Sequence, residues 1–588
     1  MDPSSLRETR GGAVLGFSNE LGAHVWRGIP FAKPPSGPLR WRAPRPPEPW
    51  QGTRQALAFG ATCVQFAGPM SGDPRADGSE PAGSEDCLYL NIFAPRFEPG
   101  AVPRAGARLP VLFWIHGGGN TVGRADPYDG SLLALGEEVI VVTLNYRLGV
   151  FGWFAHPALR SAEGGGTSVD DRSGNYGTLD LVRGLEWVRE NISAFGGDPE
   201  RVTIFGESAG GLNVYSLLLS PRARGLFQRA ISQSGGTWTS TVAEGENPAA
   251  DPDAPGDAFS SSEVVAELMV RDGSASDRAA ARALAEQWGH AKLARYLRDK
   301  PAGEVLGVYE GSGLGGMYRA PRLFRDGAVL PAEEPLEVFR SGRHNQVPAI
   351  LGTNRDENKT FALFSSEHVA HVFALPVWLK DERRYELETS YPSLMWKAGG
   401  VDEPAAAMRA SQGPSVFAYR FDWDEQPSLL WLDFSRLVGA AHGLEIPFVF
   451  GGLDLGPANR FLWDEERRPA AEELSRAIMS YWSQFAYTGD PLGGRQGNLP
   501  RWHPWNESSE GSGKFLVLDT QAGGGLRMSN DSVTRKGVIA QVARDDRFES
   551  WAERCAIYAD FVRWSGRMTE AEYASVADGA CAAFPFVE

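Results

Sequence analysis

The chain has 588 residues, a formal net charge of −16 at pH 7 and a pI near 5.2. Such a surface lacks the clustered Lys and Arg that phosphate-rich partners demand, which excludes nucleic acid and anionic membranes and favours a small, uncharged or cationic ligand. Its 42% hydrophobic and 22% charged residues are ordinary for a globular protein, and no apolar run approaches the roughly 20 residues that span a bilayer.

From the N-terminus, Met1-Asp2-Pro3-Ser4-Ser5-Leu6 lacks the apolar core of a secretory signal, so the sequence as it stands predicts a cytoplasmic protein. The four cysteines point elsewhere. Cys63 and Cys87 bracket a Gly/Pro/Ser/Asp-rich loop of the kind a disulfide closes, and Cys555 and Cys581 form a second plausible pair. Either the thiols are all free in a reducing cytosol, or the chain works in a periplasmic or secreted setting after losing a signal.

Continuous apolar, β-branched runs at Val111-Leu112-Phe113-Trp114-Ile115, Val139-Ile140-Val141-Val142-Thr143-Leu144, Val202-Thr203-Ile204-Phe205 and Ala349-Ile350-Leu351 predict strands covered on both faces. Between them lie helical patterns. Leu181, Leu185, Val188 and Ile192 share one face, as do Leu474, Ile478, Trp482 and Phe485, and the second pattern stops at Gly489 as a C-cap should. Strands alternating with helices predict an α/β fold with a large, mostly parallel central sheet flanked by helices, and ligands bind beyond the carboxyl ends of such strands. No internal repeat or linker divides the chain, so residues 1–588 are expected to form one catalytic domain, with Gly/Pro/Asp/Ser-rich surface excursions near 67–85 and 240–262.

The chemistry centres on Gly206-Glu207-Ser208-Ala209-Gly210, which separates a predicted strand from the apolar helix starting at Leu212. A Gly-x-Ser-x-Gly turn there strains the serine backbone and holds the hydroxyl out as a nucleophile. Upstream, His116-Gly117-Gly118-Gly119 follows the strand ending at Ile115, and successive glycines let main-chain N–H groups turn toward a substrate oxygen. A base and an orienting carboxylate are also required. Among nine histidines, His442 is flanked by the small residues Ala440, Ala441 and Gly443, which leave room for imidazole and acyl group; a core or surface histidine is the alternative. Glu207 fits a buried structural carboxylate. No His-Glu-x-x-His, Cys-x-x-Cys or Gly-rich loop ending in Lys-Ser or Lys-Thr is present, so no metal or cofactor is expected.

Several motifs in order now carry a resemblance: Gly28-Ile29-Pro30-Phe31-Ala32-Lys33-Pro34-Pro35, Glu85-Asp86-Cys87-Leu88-Tyr89-Leu90-Asn91, the His116 glycine run, and Asn145-Tyr146-Arg147-Leu148-Gly149. Gly174-Asn175-Tyr176-Gly177, Phe195-Gly196-Gly197-Asp198-Pro199, the serine turn and Gln233-Ser234-Gly235 follow. The chain is similar to the type-B carboxylesterase and cholinesterase group of α/β-hydrolases over most of its length. The resemblance implies Ser208 as nucleophile, an oxyanion hole from the N–H groups of Gly118, Gly119 and Ala209, Glu357 in Gly352-Thr353-Asn354-Arg355-Asp356-Glu357 as acid, and His442 as base. On residue grounds alone Glu357 reads as a surface carboxylate beside Asp356, Arg355 and Lys359, and Asp356 is the fallback acid.

The resemblance further implies hydrolysis of small carboxylic esters of short to medium acyl chain. A lipase would need a large apolar lid, which the polar 67–85 stretch does not offer. A silent binding protein of the same fold would have lost the serine or the base. Four departures stand out. Asn358 replaces the usual glycine after the acid, Asn120 replaces an aromatic after the glycine run, and His290 and Tyr296 occupy positions resembling a missing middle disulfide. Phe66 is the only aromatic between Cys63 and Cys87, which argues against a choline ester held by cation–π contact.

Overall fold

A computed structural model describes the chain except residues 75, 162–166, 312–314, 364, 373–374, 430–431, 455–458, 507–512, 564–567 and 585–588. The chain divides into two compact units, Met1–Ala230 with Thr239–Val347, and Ile231–Trp238 with Pro348–Glu588.

In the first unit the sheet strands are β1 (Phe17–Ser18), β2 (His24–Pro30), β3 (Tyr89–Ala94), β4 (Leu109–Ile115), β5 (Ile140–Leu144) and β6 (Gly197–Glu207), in the order β6-β4-β5-β3-β2-β1. β4 pairs in parallel with β5 and β6, placing Val111 opposite Ile140 and Val202, while β3, β2 and β1 close the edge in antiparallel fashion. The central strands are buried over 110–115, 140–144 and 202–207, which is why these stretches are largely continuous apolar runs rather than alternating ones. The predicted strand starts lie two, one and five residues from the observed ones at β4, β5 and β6, β6 starting five residues before Val202.

Helix α1 (Tyr176–Asn191) buries Leu181, Leu185 and Val188 as its pattern requires, but Ile192 opens a separate 3₁₀ turn after it. Helix α2 (Ala209–Leu219) is buried on every side, consistent with its all-apolar sequence. Helices α3 (Ser261–Arg271) and α4 (Arg278–Asp299) pack with Trp41, Phe151 and Phe154 in a separate apolar cluster. The 67–85 stretch has little regular structure among its described residues, whereas the 240–262 stretch includes a short helix at Val242–Glu246.

The chain passes between the units within β7 (Arg229–Gln233). In the second unit β8 (Ala349–Asn354), β9 (Val416–Phe421), β10 (Phe515–Leu518) and β11 (Arg527–Ser529) follow in the order β7-β8-β9-β10-β11. β8, β9 and β10 run parallel, and β11 closes the edge antiparallel. Helix α5 (Glu382–Lys397) leads through a π-helical turn at Ala398–Asp402 into α6 (Glu403–Gln412). Helix α7 (Arg468–Thr488) buries Leu474, Ile478, Trp482 and Phe485 and ends at Gly489, whose φ of 83° makes the expected left-handed cap.

The C-terminal helices α8 (Arg535–Arg544), α9 (Trp551–Arg563) and α10 (Glu570–Gly579) share an apolar cluster with Leu387, Tyr391 and Met395 of α5. Both expected cysteine pairs are disulfides, Cys63 with Cys87 and Cys555 with Cys581. No helix among the described residues is long and apolar enough to cross a membrane.

Candidate active site

In the first unit the serine turn is a strand-to-helix elbow. β6 ends at Glu207, α2 begins at Ala209, and Ser208 between them adopts φ 58° and ψ −119°. A non-glycine residue holds such a backbone only where surrounding structure enforces it, at roughly 1–3 kcal/mol. The enforcement is steric: a Cβ on Gly210 would lie 1.9 Å from the Ile115 carbonyl oxygen, so only glycine lets α2 approach β4 this closely. Ser208 is half-buried while Glu207 and Ala209 are buried, so the turn lifts the serine alone. Glu207 is buried in the core, with its carboxylate against Gly117.

The glycine run lies against this turn. A Cβ on Gly117 would stand 3.0 Å from Cβ of Ser208, and Gly118 at φ 103° approaches the Val122 carbonyl so closely that any side chain would overlap it. Every carbonyl of residues 116–120 is engaged. Tyr146 donates its hydroxyl to His116 O at 2.7 Å, and His116 Nδ1 meets Gly117 O at 2.9 Å. Gly118 O accepts from Thr121 and Val122, Gly119 O from the Arg322 guanidinium, and Asn120 O from Gly149 N–H at 2.6 Å.

The Asn145-Tyr146-Arg147-Leu148-Gly149 motif thus has a physical task. Tyr146 and Gly149 fasten the two ends of the glycine loop, and Arg147 anchors the motif through a buried two-pronged ion pair with Asp180. Among the described residues the N–H groups of Gly118, Gly119 and Ala209 meet no acceptor. These three donors, the last at the positive end of α2, are therefore open to an acceptor. Burial pushes His116 down to about 4, leaving it neutral and stacked on Tyr146.

In the second unit His442 Nδ1 lies 2.5 Å from Glu357 Oε2. The other carboxylate oxygen accepts from the Thr353 hydroxyl at 2.7 Å and from Asn354 N–H at 2.8 Å. Burial opposes ionisation of Glu357, yet His442, the Ser234 hydroxyl and Asn354 N–H together hold it below the usual carboxylate range. Asp356 is engaged elsewhere, with Arg355, Lys359 and Ala440 N–H. The imidazole packs beside Trp396 at 4.8 Å and Phe361 at 5.5 Å, and Thr360 donates to the His442 carbonyl.

Some of this set carried sequence signals that were not given roles. Glu445, three residues after His442, accepts from Asn354 Nδ2 at 2.6 Å and from Gln233, and burial beside Glu357 raises its carboxyl above the usual range. Asn354 therefore ties two buried carboxyls together. Ser234 and Glu445 both lie inside motifs visible in the sequence, whereas Trp396 and Arg322 come from stretches without any pattern.

A serine elbow between a parallel strand and a helix, and a histidine anchored on a carboxylate, are each features of the α/β-hydrolase class of serine hydrolases. Comparison with known proteins agrees. A profile described as the Carboxylesterase family matches residues 3–374 and 374–533. The para-nitrobenzyl esterase of Bacillus subtilis (strain 168) is 35% identical over 547 residues, covering 90% of this chain and 96% of that protein. The fumonisin B1 esterase of Sphingopyxis macrogoltabida is 34% identical over 546 residues, covering 89% and 88%. A solved PNB esterase superposes with a TM-score of 0.61 at 32% identity, covering 88% of this chain and 96% of that one. The chain belongs to the carboxylesterase family, and it is a carboxylic ester hydrolase with the α/β-hydrolase fold.

Proposed function

We propose that Ser208, His442 and Glu357 are the catalytic triad of this esterase, with Gly118, Gly119 and Ala209 as its oxyanion hole. Because Nδ1 of His442 faces Glu357, Nε2 remains to take the Ser208 proton. The serine oxygen bonds to the ester carbonyl carbon, and the carbonyl oxygen becomes an anion held by the three N–H groups. His442 returns the proton to the departing alkoxide, the C–O bond breaks, and an alcohol leaves an acyl-serine. Water then attacks with the same histidine taking its proton, and the acid is released with the serine restored. Glu357, ionised and fixed by Thr353 and Asn354, holds the imidazole tautomer and balances its positive charge.

The observation that carries this reading is the strained Ser208 elbow beside three N–H groups without acceptors. We propose that residues 1–588 work as one catalytic domain. The substrates are small carboxylic esters of short to medium acyl chain. Rates on p-nitrophenyl esters from acetyl to palmitoyl test this, with Ser208→Ala as control. Activity should peak at short to medium chains and vanish in the variant; a maximum at palmitoyl contradicts the chain length, and activity surviving in Ser208→Ala contradicts the nucleophile.

The two disulfides support a working place outside a reducing cytosol. Thiol titration of the denatured, unreduced protein should find none of the four cysteines free. Four reactive thiols would contradict that placement.

A further inference from the structure

Arg322 lies in the segment that runs along the glycine loop. Its Nη1 donates to the Gly119 carbonyl oxygen at 2.5 Å, its main-chain N–H and carbonyl are tied to Ser240, and the residue is half-buried. In the same segment Met317 lies over Gly119, its sulfur 3.1 Å from where a Cβ would stand. The guanidinium is thus fixed at the residue whose N–H is proposed to receive the oxyanion.

The partners of nearby arginines differ in kind. Arg319 pairs with Asp257 at 3.0 Å, Arg325 with Glu334, Arg124 with Asp126, and Arg160 with Glu246 at 2.7 Å. Among the described residues Arg322 has no carboxylate partner, although acidic residues outnumber basic ones by 16 in this chain. Burial accordingly pulls its guanidinium below its ordinary range, with Tyr318 and Asp257 only partly offsetting this. A guanidinium offers five N–H donors in a planar fork suited to a carboxylate, and the Gly119 carbonyl occupies one nitrogen. None of its nitrogens is among the buried side-chain atoms without a partner, so those not bonded to Gly119 stay open to solvent and to a ligand.

We propose that Arg322 is a specificity-determining residue that binds a carboxylate carried on the acyl part of the substrate, so that half-esters of short dicarboxylic acids are preferred. This rests on the triad and oxyanion-hole reading above. With Nη1 bonded to Gly119 O and an oxyanion bonded to Gly119 N–H, the two lie at most roughly 9 Å apart, a gap that a carboxylate two or three methylenes beyond the scissile carbonyl can bridge together with its own hydrogen bond. Met317 gives those methylenes an apolar wall. The free carboxylate takes no part in bond making: the ester C–O bond breaks as before, and a dicarboxylic acid is released in place of a monocarboxylic one.

The test compares monoethyl glutarate with ethyl pentanoate, close in size and differing in charge, by pH-stat in the parent, Arg322→Met and Arg322→Lys. Taking the ratio of kcat/KM for the two esters cancels any effect of the substitution on the Gly119 loop that both substrates share. The parent should favour the half-ester by about tenfold or more. That ratio should collapse to about one or below in Arg322→Met, mainly through KM of the half-ester, and be partly restored in Arg322→Lys.

A parent that does not favour the half-ester, or a ratio unchanged in Arg322→Met, overturns the proposal. So does an equal loss on both esters, which would make Arg322 solely a clamp on the loop. Ethyl pentanoate hydrolysis that is absent in the parent, or that persists in Ser208→Ala, would instead contradict the triad reading, so the two failures are distinguishable.

Discussion

The main-chain N–H of Asn358 donates to the Ser393 hydroxyl at 3.0 Å, and Ser393 in turn donates to the Thr389 carbonyl within α5. The residue after Glu357 is thus fastened to a helix through its backbone, and its side-chain amide lies near the same hydroxyl rather than on the carboxylate. The departure from glycine at this position leaves the Glu357–His442 contact intact. Asn358→Gly should keep kcat within about a factor of 3, a change under 1 kcal/mol, because the N–H that makes the bond is retained. Steady-state rates on p-nitrophenyl butyrate check it. A loss of a hundredfold or more would mean that the amide itself orients the acid.

Glu357→Gln should fold normally and lose activity. The amide would present either a donor or a neutral oxygen to Nδ1, abandoning the ionic bond that fixes the tautomer, and the comparable change in a serine protease triad lowers kcat by roughly 10⁴-fold. A fall of about 10³- to 10⁴-fold in kcat with little change in KM is expected. Asp356→Asn, which breaks contacts with Arg355, Lys359 and Ala440, should act on thermal stability more than on kcat. The reverse ranking would exchange the two carboxylates' roles.

Gly119→Ala addresses the oxyanion cradle. Gly119 sits at φ 62°, and the new methyl would press on the Met317 sulfur, the movable end of a flexible side chain. The chain should therefore fold with the loop shifted. Loss of one donor is worth roughly 2.7–4 kcal/mol of transition-state stabilisation, so kcat should drop about 10²- to 10³-fold while KM changes little. A folded variant with unchanged turnover would remove Gly119 from the cradle.

Glu246 gives a pH prediction independent of catalysis. Burial pushes its carboxyl up to about 7 despite the nearby Arg160. A carboxyl whose folded pKa is raised stabilises the fold fully below its unfolded value near 4.5, and this contribution is lost as pH climbs through 7. The loss amounts to about 3 kcal/mol. Melting temperatures from pH 5 to 8 should show Glu246→Gln gaining steadily on the parent. A constant difference would mean that Arg160 keeps the carboxylate ionised throughout.

Much of this was legible in the sequence, for identifiable reasons. β4, β5, β6 and β8 announce themselves because strands covered on both faces must be continuously apolar. Ser208 and the glycine run are legible because a strained turn and a close backbone approach leave few residue choices. Arg322 and Trp396 are not, since their importance comes from what tertiary folding sets beside them: a carbonyl 203 positions away and an imidazole on another segment. Strand β10 and the edge strand β11 are too short to carry a pattern, and the C-terminal helices are hard to read because their apolar faces meet α5 and one another rather than a sheet.

Labelling with a serine-directed phosphonate tests the central claim most directly, because the reagent reacts only where a nucleophilic hydroxyl, a base and an oxyanion cradle coincide. Intact mass and peptide mapping should find one adduct per chain, on Ser208, forming in step with loss of ester hydrolysis and absent from Ser208→Ala. An adduct on another residue, or full hydrolytic activity in chains carrying the Ser208 adduct, would contradict the assignment.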